Sequence, residues 1–330
     1  MKIKAFIILS YLGFIPFIHA QVTPKNIGSL SGKYICIDPG HGGSAATDSY
    51  RQGPTGEREE WIDLRVGLLL KEILEQKGAK VLMTRIMDVP VPLAERSKMA
   101  VDSQVDFFIS IHHNATADPS VNFPIIYYHG LASENPACVT FGKLLVKNLQ
   151  KYLYKTKTPY SVVSDYTIFS GAGSSVLRGT YGIPGVLAEA SLFTNPEEEA
   201  RLKTKEHNLN EAYAIAKAIE KFFEKAKLEI SPKTSSKFPP QFATLQEAER
   251  MSAIARRWYQ DYIDGKKLMK KKDTESQQKA FDLFTQSARS FPDSYVAGKC
   301  HQYRAVILRK QGKIEEAVKE ERRVREFYPN

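Results

Sequence analysis

The stretch Lys33-Tyr34-Ile35-Cys36-Ile37-Asp38-Pro39-Gly40-His41-Gly42-Gly43 is a β-branched apolar run that stops at a carboxylate and opens into a glycine-rich turn. Such a run reads as a buried strand, and the turn after it exposes one imidazole. Four more apolar runs follow, at Ala79 to Thr84, Phe107 to His112, Pro124 to His129 and Gly185 to Ala190. Between the first two, Ile62, Val66, Leu69 and Ile73 recur at steps of four, three and four, which predicts a helix over Glu59 to Lys77 ended by Gly78. Further helices are expected over Pro136 to Tyr154 and Glu197 to Lys227. Strands and helices alternating from Gly32 to about Lys227 make an α/β fold, a largely parallel twisted sheet flanked by helices, with a small all-helical domain after it.

The 330 residues divide by composition into four parts. In residues 1–20, Lys2 and Lys4 precede the apolar run Ala5 to Ile18 and the sequence Ile18-His19-Ala20, the three parts of a secretory signal peptide. The run is shorter than the ~20 residues a spanning helix needs, so the expectation is a secreted protein of the periplasm or cell envelope with no transmembrane anchor. Residues 21–230 hold the α/β unit, and residues 231–240, rich in Pro, Ser, Thr and Lys, read as a linker. Residues 241–330 read as helix alone. There Gln278 to Phe291 and Ile314 to Tyr328 each end in an aromatic followed by Pro, at a separation near that of tetratricopeptide helix pairs, with Tyr295 to Lys310 as the first helix of the second pair.

The net charge is +10, and 21 Lys and Arg against 13 Asp and Glu after Pro-rich residues 231–240 begin place most of it in the tail. A basic tail predicts attraction to an anionic envelope polymer or an envelope protein, and secretion argues against nucleic acid as a partner. Basic side chains solvating helix faces explain the same surplus. Cys36 sits in a strand and reads as a core residue. An oxidising compartment permits a Cys138 to Cys300 bridge, although no spacing argues for one.

Three polar sites interrupt runs that otherwise read as core, each where a strand meets the sheet's C-terminal edge: His41 after Asp38, His112 with His113 and Asn114, and Glu189 within Leu187 to Ser191. Glu59 precedes Ile62 by three and shares its helical face, while Asp63 is near enough to that stripe to compete with it. A carboxylate on a core-facing stripe costs several kcal/mol unless it is paired or bound to a cation, of the order found for buried lone charges. Two histidines and a glutamate at one edge would meet that need as an open zinc site of three protein ligands plus water. His113, one residue along the strand, points to the other sheet face, and Asn114 reads as a turn residue or a substrate contact. Arg96 lies near a helix start, as structural arginines do, or meets a substrate carboxylate. Glu197, Glu198 and Glu199 suit a helix N-terminus, and the loop Tyr154 to Arg178 has a substrate-lining composition.

The chain resembles the zinc-dependent N-acetylmuramoyl-L-alanine amidases of the amidase 3 type. The resemblance rests on IDPGHGG (37–43), REEWIDL (58–64), AKVLMTR (79–85), LAERS (93–97), FISIHHNA (108–115) and VLAEASLFTNPEEEARL (186–202), in family order over about 190 residues. It implies that residues 21–230 are a zinc amidase catalytic domain, that His41, Glu59 and His112 bind one zinc ion and that Glu189 is the catalytic carboxylate. The expected reaction is hydrolysis of the amide between N-acetylmuramic acid and L-alanine of peptidoglycan, in wall remodelling or daughter-cell separation. A zinc peptidase acting within the stem peptide and a non-catalytic wall-binding scaffold are the alternatives. The tail lies outside the resemblance.

Overall fold

The computed structural model describes residues 28–43, 51–169, 171–225, 229–233 and 239–329, so the expected signal peptide lies outside the described residues. The strands are β1 (Tyr34–Pro39), β2 (Lys80–Met83), β3 (Phe107–Asn114), β4 (Ile125–Tyr128), β5 (Ser161–Ser164) and β6 (Gly185–Leu192). The helices are α1 (Glu59–Gln76), α2 (Leu93–Asp102), α3 (Pro136–Leu149), α4 (Ser175–Gly179), α5 (Pro196–Leu202), α6 (Lys205–Lys225), α7 (Glu247–Arg250), α8 (Trp258–Leu268), α9 (Thr274–Ser290), α10 (Ala297–Lys310) and α11 (Ile314–Phe327).

One six-stranded sheet has the order β2-β1-β3-β6-β4-β5. The first four of these strands are parallel, β4 is antiparallel to β6, and β5 is parallel to β4. The ends of β1, β3 and β6 therefore share an edge with the start of β4. Ile35, Ile37, Phe107, Ile109 and Ile111 face α1, α3 and α6. On the other face Cys36, Phe108, Tyr127 and Leu187 belong to one apolar cluster with Ala100 of α2, Val176 of α4 and the tail residues Trp258, Phe284, Phe291, Cys300 and Phe327. In the tail α8 packs on α9, α9 on α10 and α10 on α11. Among the described residues no helix is long and apolar enough to cross a membrane.

The structure corrects several sequence expectations. The helix expected over Glu197 to Lys227 is two, α5 and α6, with a break at Lys203 and Thr204; Asn195 starts α5 by accepting from Glu198 N, with Pro196 in the first turn. The α1 stripe runs through Leu70 and Leu74, which are fully buried, rather than Leu69 and Ile73, and it includes Asp63 as well as Glu59. The stretch Tyr154 to Arg178 is not one loop. It contains β5 and α4, and residues after Ser164 leave the sheet at the edge opposite the ends of β1 and β3. Cys138 and Cys300 are buried as free thiols, Cys138 Sγ accepting from Gly185 N and Cys300 Sγ donating to Ser287 Oγ. Burial pushes each thiol up to about 12.

Candidate active site

Three segments deliver one donor atom each to a common point. His41 Nε2 lies 2.9 Å from Glu59 Oε1, and His112 Nδ1 lies 3.0 Å from both. His41 comes from the turn after β1, Glu59 from the first residue of α1, and His112 from the end of β3. Their side chains are 19%, 7% and 14% exposed, so the two imidazoles can be reached from solvent while the carboxylate is buried beneath them. Burial alone would raise the Glu59 carboxyl, but the two imidazoles outweigh it and hold the group well below the usual carboxylate range. Burial would also lower His41, yet Glu59 raises it, whereas at His112 burial wins and the ring stays below its ordinary value. Two imidazole nitrogens and a carboxylate oxygen packed this closely form a donor set that suits a divalent cation such as zinc. Positive charge already faces these atoms: Arg51 Nε lies 3.2 Å from His41 Nε2 and 3.7 Å from Glu59 Oε2.

The turn carrying His41 is held by buried arginines. His41 itself adopts φ 53, a left-handed conformation that non-glycine residues rarely take. Arg85 donates to the carbonyls of Pro39 (3.0 Å), Gly40 (2.6 Å) and Glu60 (2.7 Å), tying the turn to the start of α1. Arg96 donates to Asp38 Oδ1 (2.9 Å) and to the carbonyls of Val91 (2.9 Å), Pro39 (2.7 Å) and His41. This corrects the expectation that Arg96 meets substrate: the residue is buried and its guanidinium is committed to the turn. Asp38 completes the brace, accepting from Thr84 Oγ1 (2.6 Å) and Ser110 Oγ (2.8 Å). Gly40 is required by contact, because a Cβ there would lie 2.3 Å from His112 Cε1.

Glu189 is the register partner of His112 on the adjacent parallel strand, so the two side chains leave the same sheet face. Its Oε2 is buried without a hydrogen-bond partner among the described residues. Burial and then the charges of Glu59 and Asp63 raise its carboxyl well above the ordinary range. His113 does point to the other face, where Nδ1 meets Asp63 Oδ1 at 2.9 Å and Nε2 meets Glu211 Oε2 at 3.0 Å. Burial would lower this ring, but Glu211 and Asp63 outweigh it and raise it well above its ordinary value. Asp63 thus lies within the same group of potential ligands as His41, Glu59 and His112, but one of its oxygens is engaged by His113. Half-buried Asn114 ties its Oδ1 to Ala115 N at 2.8 Å.

Two positioning residues are not marked by residue pattern or spacing, although Arg85 lies within the quoted stretch AKVLMTR (79–85). Arg85 reads as an ordinary strand-end arginine, and Glu211 lies 98 residues from His113 on a helix that shows only apolar periodicity. Glu198 and Glu199 do more than suit a helix dipole. Glu199 accepts from Thr55 N (2.9 Å) and Glu57 N (3.1 Å), fixing the approach to α1, and Glu198 accepts from Asn122 Nδ2 at 3.0 Å.

The N-acetylmuramoyl-L-alanine amidase family model (amidase 3) matches residues 35–221. The "Probable cell wall amidase LytH" of Staphylococcus epidermidis is 30% identical over 199 residues, which cover 59% of this chain and 60% of the relative. The N-acetylmuramoyl-L-alanine amidase AmiA of Salmonella typhimurium is 27% identical over 237 residues, covering 62% of this chain and 80% of the relative. Among solved structures, the N-acetylmuramoyl-L-alanine amidase AmiC2 of Nostoc punctiforme has a TM-score of 0.51 at 29% identity, covering 59% of this chain and 99% of that one. The chain spans less than two thirds of the length of the staphylococcal relative, and its helical tail lies beyond the matched residues.

Proposed function

The chain belongs to the N-acetylmuramoyl-L-alanine amidase family, and on that premise we propose that it hydrolyses the amide between N-acetylmuramic acid and L-alanine of peptidoglycan with one zinc ion held by His41, Glu59 and His112. The observation that carries this reading is the meeting of His41 Nε2, Glu59 Oε1 and His112 Nδ1 beside Glu189. When bound there, zinc supplies Lewis acidity toward the amide carbonyl and toward water. Glu189, the register partner of His112, takes a proton from the attacking water and passes it to the departing nitrogen of L-alanine. The raised proton affinity of its apolar strand setting suits it to hold that proton between the two transfers. Arg85 and Arg96 hold the backbone of the His41 turn, and His113 donates its backbone N–H to Glu59 Oε1 at 3.3 Å, so the ligands are oriented before any ion arrives.

The same proposal includes secretion to the periplasm or envelope, a catalytic unit over residues 21–230 with a linker at 231–240, and a tetratricopeptide-like tail over 241–330. The stacked α8 to α11 support the last. The surplus of tail cations suits an anionic envelope polymer or an envelope protein as partner. Asn114, the last residue of β3 and two residues after His112, is the proposed substrate contact. The test is mass analysis of purified muropeptides digested by the zinc-loaded chain. An intact stem peptide beside a free sugar is expected, and chelation abolishes its release; shortened stems would point to a peptidase, and no product to a wall-binding scaffold.

A further inference from the structure

The turn between α9 and α10 brings the tail to the strand beside Glu189. Phe291 and Tyr295 of that turn pack on Phe123, just before β4, with ring centroids 5.7 Å and 5.1 Å apart, and both pack on Trp258. Between them Asp293 is fully buried, and its Oδ2 accepts from the hydroxyl of Tyr127, itself buried. Tyr127 pairs with Leu187 and Ile125 with Glu189 across the antiparallel β4 and β6 ladder, so Tyr127 is the diagonal neighbour of Glu189 on one face. The charge of Glu189 acts on the phenol, after burial and Asp293, in raising its proton affinity. Yet the hydroxyl goes to Asp293, and Glu189 Oε2 has no hydrogen-bond partner among the described residues.

Resting on the reading of Glu189 as the proton carrier, we propose that Asp293 is a positioning residue of the tail: it holds the Tyr127 hydroxyl away from Glu189 and so leaves that carboxylate without an internal donor among the described residues. Without the Asp293 carboxylate, a buried phenol must find another acceptor, and Glu189 stands diagonally across the ladder. A phenol donating to Glu189 would weaken it as a base. The tail then acts on the catalytic unit through Tyr127, from outside residues 21–230.

The zinc-loaded full chain tests this with three variants assayed on purified muropeptide, with zinc content and thermal midpoint measured alongside. Asp293→Ala is expected to lose about tenfold in kcat, the size of one hydrogen bond to a charged group, with KM and zinc content held. Asp293→Asn, which still accepts from the phenol, keeps turnover near that of the unmodified chain. Adding Tyr127→Phe to Asp293→Ala restores turnover, because the competing hydroxyl is gone; a purely structural role predicts further loss. Full turnover in Asp293→Ala, or no recovery in the double variant, overturns the proposal. A crystal structure of the Asp293→Ala chain asks the same without substrate. The Tyr127 hydroxyl is expected within hydrogen-bond reach of Glu189, and finding it elsewhere overturns the proposal whatever the activity. An unmodified chain that releases no stem peptide overturns the amidase reading alone.

Discussion

At Glu189 an apolar strand carries a carboxylate whose Oε2 has no partner among the described residues, an arrangement that costs stability unless the group keeps a proton or works. Leu187, Ile125 and Tyr127, which share its sheet face, are buried, and burial is the first cause of its raised proton affinity, with the Glu59 charge second. A base must shed its proton to act, so the acidic limb of the rate profile should lie above the ordinary carboxylate range. Glu189→Gln should remove that limb and lower kcat about a hundredfold to ten-thousandfold, the usual loss when a general base is removed. Zinc content should hold, because Glu189 stands outside the donor group. Steady-state kinetics across pH on the zinc-loaded variant checks this, and turnover equal to that of the unmodified chain contradicts it.

At the scale of elements, the turn after β1 is where sequence and fold meet most closely. His41, Glu59 and His112 are legible because each interrupts an apolar pattern, in a turn, on a helix stripe and at a strand end. Glu59 and Asp63 share one stripe, and no spacing tells them apart; the fold does, by placing His113 and Glu211 against Asp63. Arg85 and Arg96 act on backbone carbonyls, which leave no trace in side-chain pattern. The direction of β4 and the existence of β5 are also hidden, since an apolar run does not state which way it runs. The close approach of the turn to β3 gives a sharp prediction. Gly40→Ala must displace the His112 ring, since the new Cβ would lie 2.3 Å from Cε1. Zinc affinity should fall about tenfold to a hundredfold, as when ligand-orienting contacts are lost, in a competition titration with a chelating dye. Unchanged affinity would mean that this contact does not hold the ring.

The whole molecule joins the pieces through its two sheet faces. One face seats α1, which brings Glu59 to the edge where β1 and β3 deliver their histidines. The other carries the tail, whose Trp258, Phe284 and Phe291 share an apolar cluster with Phe108, Tyr127 and Leu187. The composition of residues 231–240 reads as a separator, but apolar residues on either side of it pack together, and only the fold reveals which face they cover. The proposed metal site is likewise a property of the assembled chain, since its ligands are 18 and 53 residues apart and meet only through the sheet. The most direct measurement is therefore the zinc stoichiometry of the purified full chain after dialysis. The unmodified protein should retain one ion per chain, as should Glu189→Gln, while His41→Ala and His112→Ala should retain far less; an unmodified chain that binds no zinc, or histidine variants that keep a full equivalent, would contradict the account.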